Sequence, residues 1–197
     1  MSSLARSLSC YKKTAAIFSI AVLTAFLLHS TPLHARETTS SHHQNIRIPL
    51  GLAWGDPTQN LENMAKPGGF AIINKEERGD KTTITVHGLI GTALQETLFI
   101  YHKNELVEIE YHYGNRTWKP QNYQDFFDSF RRMYDGKYGA GNPLLQPASK
   151  KNDPPGITTA LTGYEWNQAG CNLDLFYFIA EGSNQAYRLI SLHYKAP

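Results

Sequence analysis

Two cysteines in 197 residues leave little room for disulfide chemistry, and one of them, Cys10, lies in an N-terminal segment that reads as removable. A chain that keeps only Cys171 forms no internal disulfide, so its stability must come from packing. The familiar catalytic signatures are also missing: there is no G-x-S-x-G nucleophile elbow, no H-E-x-x-H pair, no P-loop and no dinucleotide fingerprint. Apolar runs are short. The longest, Ala15 to Leu28, has 14 residues, against the ~20 that cross a hydrocarbon core. Neither charge sign prevails, with 19 Lys+Arg against 17 Asp+Glu.

What is present first is an address. Arg6, Lys12 and Lys13, the apolar run, and small residues ending at Ala35 together read as a secretory signal peptide over residues 1–35. Cys10 precedes the apolar run, so it is not placed to be an acylated lipoprotein cysteine, and no lipid anchor is expected. Removing residues 1–35 takes three of the 19 basic residues and none of the 17 acidic ones, leaving 16 − 17 = −1. A near-neutral chain gives no reason to expect nucleic acid or a membrane surface as partner. An exported, disulfide-free protein is expected in the periplasm or secreted. Residues 36–45, rich in Ser, Thr, His and Gln and including the adjacent His42 and His43, read as a flexible leader without a metal site. Residues 46–197 are enough for one hydrophobic core and one domain.

Along that domain, Asp56-Pro57 reads as the start of a short helix, Pro57 to Ala65, with Asp56 as its cap and Leu61, Met64 and Ala65 inward. Strand character follows at Phe70–Lys75, Thr82–Gly88, Glu96–His102 and Leu106–Tyr113, with turns at Glu76–Asp80 and Lys103–Glu105. Val107, Ile109, Tyr111 and Tyr113 alternate with Glu108, Glu110 and His112, which predicts an antiparallel strand wet on one face. A long helix over Asn122–Tyr138 carries Tyr123, Phe126, Phe127, Phe130, Met133, Tyr134 and Tyr138 at threes and fours, a stripe that reads as core. Residues 139–162, including Asn152, Asp153 and the Pro154-Pro155-Gly156 run, read as a long loop. Strands resume at Leu161–Asn167, Cys171–Ala180 and Ala186–Tyr194. The expected fold is α+β: an antiparallel sheet of about seven strands, in the order α-β4-α-β3, with one short and one long helix packed on one face.

Candidate chemistry is sparse. Cys171 with His87, His102, His112 or His193 as base would make a thiol nucleophile, His193 being the partner kept for this alternative. Cys171 alternates in phase with Leu173 and Leu175, however, and reads better as a buried strand residue. A histidine metal site in its simplest form fails on register, because His102 sits beside the turn and His112 pairs near Glu96, several rises of ~3.3 Å apart. No metal and no cofactor are therefore expected, although His87 and His193 stay available to a three-dimensional site. Glu108 and Glu110 read as solvated neighbours. Asp174 reads as a strand-end acid in water, or as a buried acid paired with Arg188.

The segment Gly51-Leu52-Ala53-Trp54-Gly55-Asp56, the Asn104 hairpin leading into Leu106-Val107-Glu108-Ile109, and the helix ending Lys137-Tyr138-Gly139 resemble segments of secreted bacterial α+β proteins. The architecture they imply is similar to the helix-then-antiparallel-sheet repeat of BamE-type lipoproteins and β-lactamase inhibitor proteins. The acylated cysteine of the former and the disulfides of the latter have no counterpart here. The resemblance implies an exported binding module without a cofactor, working through sheet surface and loops. On the residues themselves, Trp54, Trp118, Tyr123, Asn152 and Asp153 are the candidate contacts for a protein or envelope component, since Trp and Tyr favour interfaces. A small thiol hydrolase and a carrier of an apolar ligand between Phe126, Phe130 and the sheet are the alternatives.

Overall fold

The computed structural model describes residues 43–146 and 156–197. Chain order is helix α1 (Thr58–Gly68), strands β1 (Ala71–Arg78), β2 (Lys81–His87), β3 (Leu94–His102) and β4 (Glu105–Tyr113), helix α2 (Pro120–Tyr138), then strands β5 (Asn142–Gln146), β6 (Ile157–Gln168), β7 (Cys171–Gly182) and β8 (Ala186–Lys195). The fold is α+β, and its eight strands form one sheet in the order β1-β2-β3-β4-β8-β7-β6-β5. Every neighbouring pair is antiparallel. Each half is a helix followed by a four-strand meander, and the halves meet along β4 and β8.

The eighth strand is the main departure from the sequence reading. β5 lies inside the expected 139–162 loop, and β6 starts four residues earlier than expected. Pro143 cannot donate to a ladder, which argues against a central strand but suits the sheet's edge, where β5 lies. At the other edge, β1 continues through Glu76, Glu77 and Arg78, charged residues that read as part of the turn. The true turn is Gly79–Asp80, with Gly79 at φ +60°. Charge on an edge strand discourages further pairing.

Helix α1 is capped from a distance. The Asp56 carboxylate accepts from the Ala53 amide at 2.8 Å instead. The free Thr58 amide donates to Asn104 Oδ1 at 3.2 Å. Asn104 occupies the two-residue β3–β4 turn with Lys103, both at positive φ (65° and 51°), the geometry that matches a hairpin's twist. Helix α2 starts at Pro120, earlier than expected, because proline suits the first helical position. Asn122 Oδ1 accepts from the Lys119 amide at 2.9 Å. Tyr123, Phe127 and Tyr134 are buried, while Met133 is exposed: at 3.6 residues per turn it stands roughly 80° from Tyr123, at the margin of the stripe. The fold also takes in part of the expected leader, since Gln44 donates to Lys137 O and accepts from Gln168.

Strand parity sorts the sheet into two unlike faces. Ile84, Phe99, Ile109, Tyr194, Leu173 and Trp166 are paired successively across six strands and share the face that both helices cover. This face holds two buried clusters, one around Leu61, Ile84 and Phe99, the other around Phe127, Leu173 and Leu192. Trp54, Tyr111 and Tyr194 touch both, so the two cores are joined at the seam. The opposite face carries no helix among the described residues.

Candidate functional site

The uncovered face has an ordered set of charges at its centre. Register puts Glu96 opposite His112, His112 opposite Ser191, Glu110 opposite His193, and Glu108 opposite Lys195. Side chains on one face of directly paired residues stand about 5 Å apart at Cβ, and here they link into a chain. His87 Nε2 is 3.9 Å from Glu96. His112 bridges Glu96 and Glu110, with Nδ1 and Nε2 each at 3.1 Å. His193 Nδ1 lies 2.9 Å from Glu108 and 3.7 Å from Glu110. Lys195 reaches Asp174 at 2.8 Å and Glu108 at 3.8 Å. The chain thus runs without a gap from β2 to β7.

These groups are less solvated than an open face suggests. Side-chain exposure is 16 % for His112 and His193, 18 % for Glu110 and 21 % for Glu108. Part of the shielding is aromatic: the Phe176 ring meets His193 edge-on at 5.2 Å. Burial acts first on Glu110 and would raise its pKa, but the hydrogen bond from His112 and the charges of His193, His112 and Lys81 outweigh it, and the net shift is down. For His112 burial would lower the pKa, yet hydrogen bonds to Glu110 and Glu96 carry it up. Burial likewise opposes the Lys195 charge and is overcome by Asp174, Glu108 and Glu110. On Glu110, His112 and Lys195 alike, the neighbours favour the charged form.

The residues singled out from sequence are placed differently. Cys171 is fully buried on the covered face, and burial pushes its thiol up to about 11. His87, His112 and His193 lie on the other face, so the structure brings no imidazole among them to the thiol. His102 stands at the far end of β3, opposite Glu105 and Lys81. Trp54 donates from Nε1 to Gly170 O at 2.9 Å and packs against both cores. Trp118 stacks edge-on to Tyr123 at 5.0 Å, and Tyr123, itself buried, donates to Asn115 O at 3.1 Å. These three rings brace the α2 side more than they offer contact. Asn152 and Asp153 lie outside the described residues. The space beneath Phe126 and Phe130, considered for an apolar ligand, is occupied by Tyr113, 5.6 and 4.9 Å from their rings.

No family model, no curated protein and no solved structure matches the chain. The site must be read from its own residues.

Glu108 and Glu110 read from sequence as solvated, and Asp174 as a strand-end acid in water or a buried acid paired with Arg188. Asp174 is buried, as its second reading had it, but its partner is Lys195, while Arg188 pairs with Glu181. What sequence reasoning missed is the convergence of His112, His193 and these acids. Its signal was two alternating runs, Glu108-x-Glu110-x-His112 and Ser191-x-His193-x-Lys195. Each run shows its own wet face, but nothing local says that β4 and β8 are neighbours.

Proposed function

We propose that the chain is an exported, noncatalytic binding protein that docks another protein or an envelope component on the open face of its sheet. The observation that carries this reading is the asymmetry of the sheet: both helices cover one face, and the other is a rigid platform with a partly desolvated charge network beside Phe176 and Phe178. Such a surface combines aromatic anchors with charges already held in place by neighbours, so little side-chain freedom is lost on docking. The four carboxylates of Glu96, Glu108, Glu110 and Asp174 outnumber Lys195 and His112 in the network, so it is acidic and favours a partner presenting Lys or Arg. Export rests on the N-terminal signal-like segment, and the periplasm or the exterior is the proposed place of action.

A photoreactive phenylalanine analogue placed at Phe178 on the open face, or at Met133 on the exposed side of α2, tests the reading in intact cells. A discrete adduct from position 178, absent from position 133, weakened by salt and released with the periplasmic or secreted fraction, is the expected outcome. Equal adducts from both positions, or none from position 178, would refute docking on this face.

A further inference from the structure

We propose that Glu108, Glu110 and His193 form a binding site for one divalent metal ion of the zinc type, straddling the β4–β8 seam. One ligand atom from each lies within 4.8 Å of the others. A tetrahedral site with bonds of about 2.0–2.2 Å to nitrogen and oxygen has ligand-to-ligand edges of about 3.3–3.6 Å. The distances from His193 Nδ1, 2.9 Å to Glu108 and 3.7 Å to Glu110, bracket that range, and the Glu108–Glu110 edge lies within 4.8 Å, so an ion would draw the two carboxylates together as it enters. The mixed donor set of one imidazole and two carboxylates suits zinc better than magnesium or calcium, which prefer oxygen throughout.

The surroundings orient these donors. Ser191 Oγ lies 2.9 Å from His193 Nε2, so the ring's other nitrogen is directed at the carboxylates. In the neutral ring with its proton on Nδ1, that proton points to Glu108 and the Ser191 hydroxyl donates to Nε2. When an ion takes Nδ1, a neutral ring carries its proton on Nε2, and the hydroxyl rotates to accept it. If the ring is cationic, binding releases one proton. His112 holds Glu110 Oε2 at 3.1 Å and leaves the other oxygen, Oε1, toward His193. Such outer partners characteristically support metal-binding groups. Lys195 Nζ, 3.8 Å from the Glu108 carboxylate, opposes a cation there, but it is bound more closely to Asp174, at 2.8 Å. Three protein ligands leave one position open for water or for a donor group of a partner. The proposal goes beyond partner binding and stands without it.

Isothermal titration of the untagged, chelator-stripped protein with zinc chloride tests the site, with magnesium chloride as the comparison. One zinc ion per chain is expected, with affinity falling by about tenfold or more in Glu108→Gln and in His193→Gln. The His42→Gln/His43→Gln double variant should bind as the parent does, since that pair is the competing source of adventitious binding. Melting curves without metal establish that each variant is folded. Nitrogen-15 NMR of the parent protein adds a readout that needs no variant: zinc should move the His193 Nδ1 resonance. No binding at tens of micromolar zinc, or equal binding by the parent and His193→Gln, or loss only in the His42/His43 variant, would overturn the assignment.

Discussion

A thiol becomes a nucleophile only as a thiolate, and Cys171 sits where the thiolate is disfavoured. Burial comes first among the causes, and Asp174 adds to it, lifting the pKa from the ordinary 9.0 to about 11. The folded state thus holds this proton more tightly than the unfolded chain does. Its contribution to stability is complete below about pH 9 and is lost as pH rises through about 11. Native Cys171 should stay unlabelled by iodoacetamide at pH 8 for hours and react at once in denaturant, as mass spectrometry would show. Replacing it with Ala should flatten the fall of stability between pH 9 and 11 by roughly 1–2 kcal/mol, read from urea midpoints along that range. The buried half of this result was legible beforehand, because Cys171, Leu173 and Leu175 share one parity. The fate of the histidines was not legible, because parity shows that two residues lie on wet faces and says nothing about whether those faces touch.

Elements in this fold are tied to one another at their ends, and Asn104 does two such jobs. It takes a left-handed conformation in the β3–β4 turn and also accepts from the first amide of α1. The two roles separate by substitution. Asn104→Gly keeps the backbone conformation and loses the cap, at about 1 kcal/mol. Asn104→Ala loses the cap and strains the turn, at about 2–3 kcal/mol in sum. Chemical denaturation should rank the parent above the Gly variant and the Gly variant above the Ala variant; equal losses would show that only the cap matters. The turn itself was plain from sequence, whereas the cap joins residues 46 apart and left no local trace, so Asp56 looked like the better donor's partner. The edge strands failed for another reason. Glu76 to Arg78 and Asn142 to Gln146 are polar or carry proline, since an outermost strand has only one neighbour to satisfy, and such composition is shared with loops.

Across the whole molecule, two cores built on separate meanders share Trp54, Tyr111 and Tyr194. The seam is also hydrogen-bonded over six residue pairs of β4 and β8. Cores joined in this way should melt together. Leu61→Ala in the first core and Leu173→Ala in the second, both at fully buried positions, should each cost about 2–5 kcal/mol. Each should lower one common transition, with far-ultraviolet dichroism and tryptophan fluorescence giving coincident curves. A biphasic curve for either variant would mean that the halves fold independently.

The position of β8 also dictates when the protein can exist. β4 is complete at Tyr113, yet the strand that pairs with its free edge begins at Ala186, so the intervening 114–185 must be made before the sheet can close. Throughout that interval the growing chain has an unmatched edge and a seam lacking Tyr194, Leu192 and Ile190. The β4–β8 seam can therefore close only once β8 has been made. Under the export proposed above, that order would suit passage through a narrow channel.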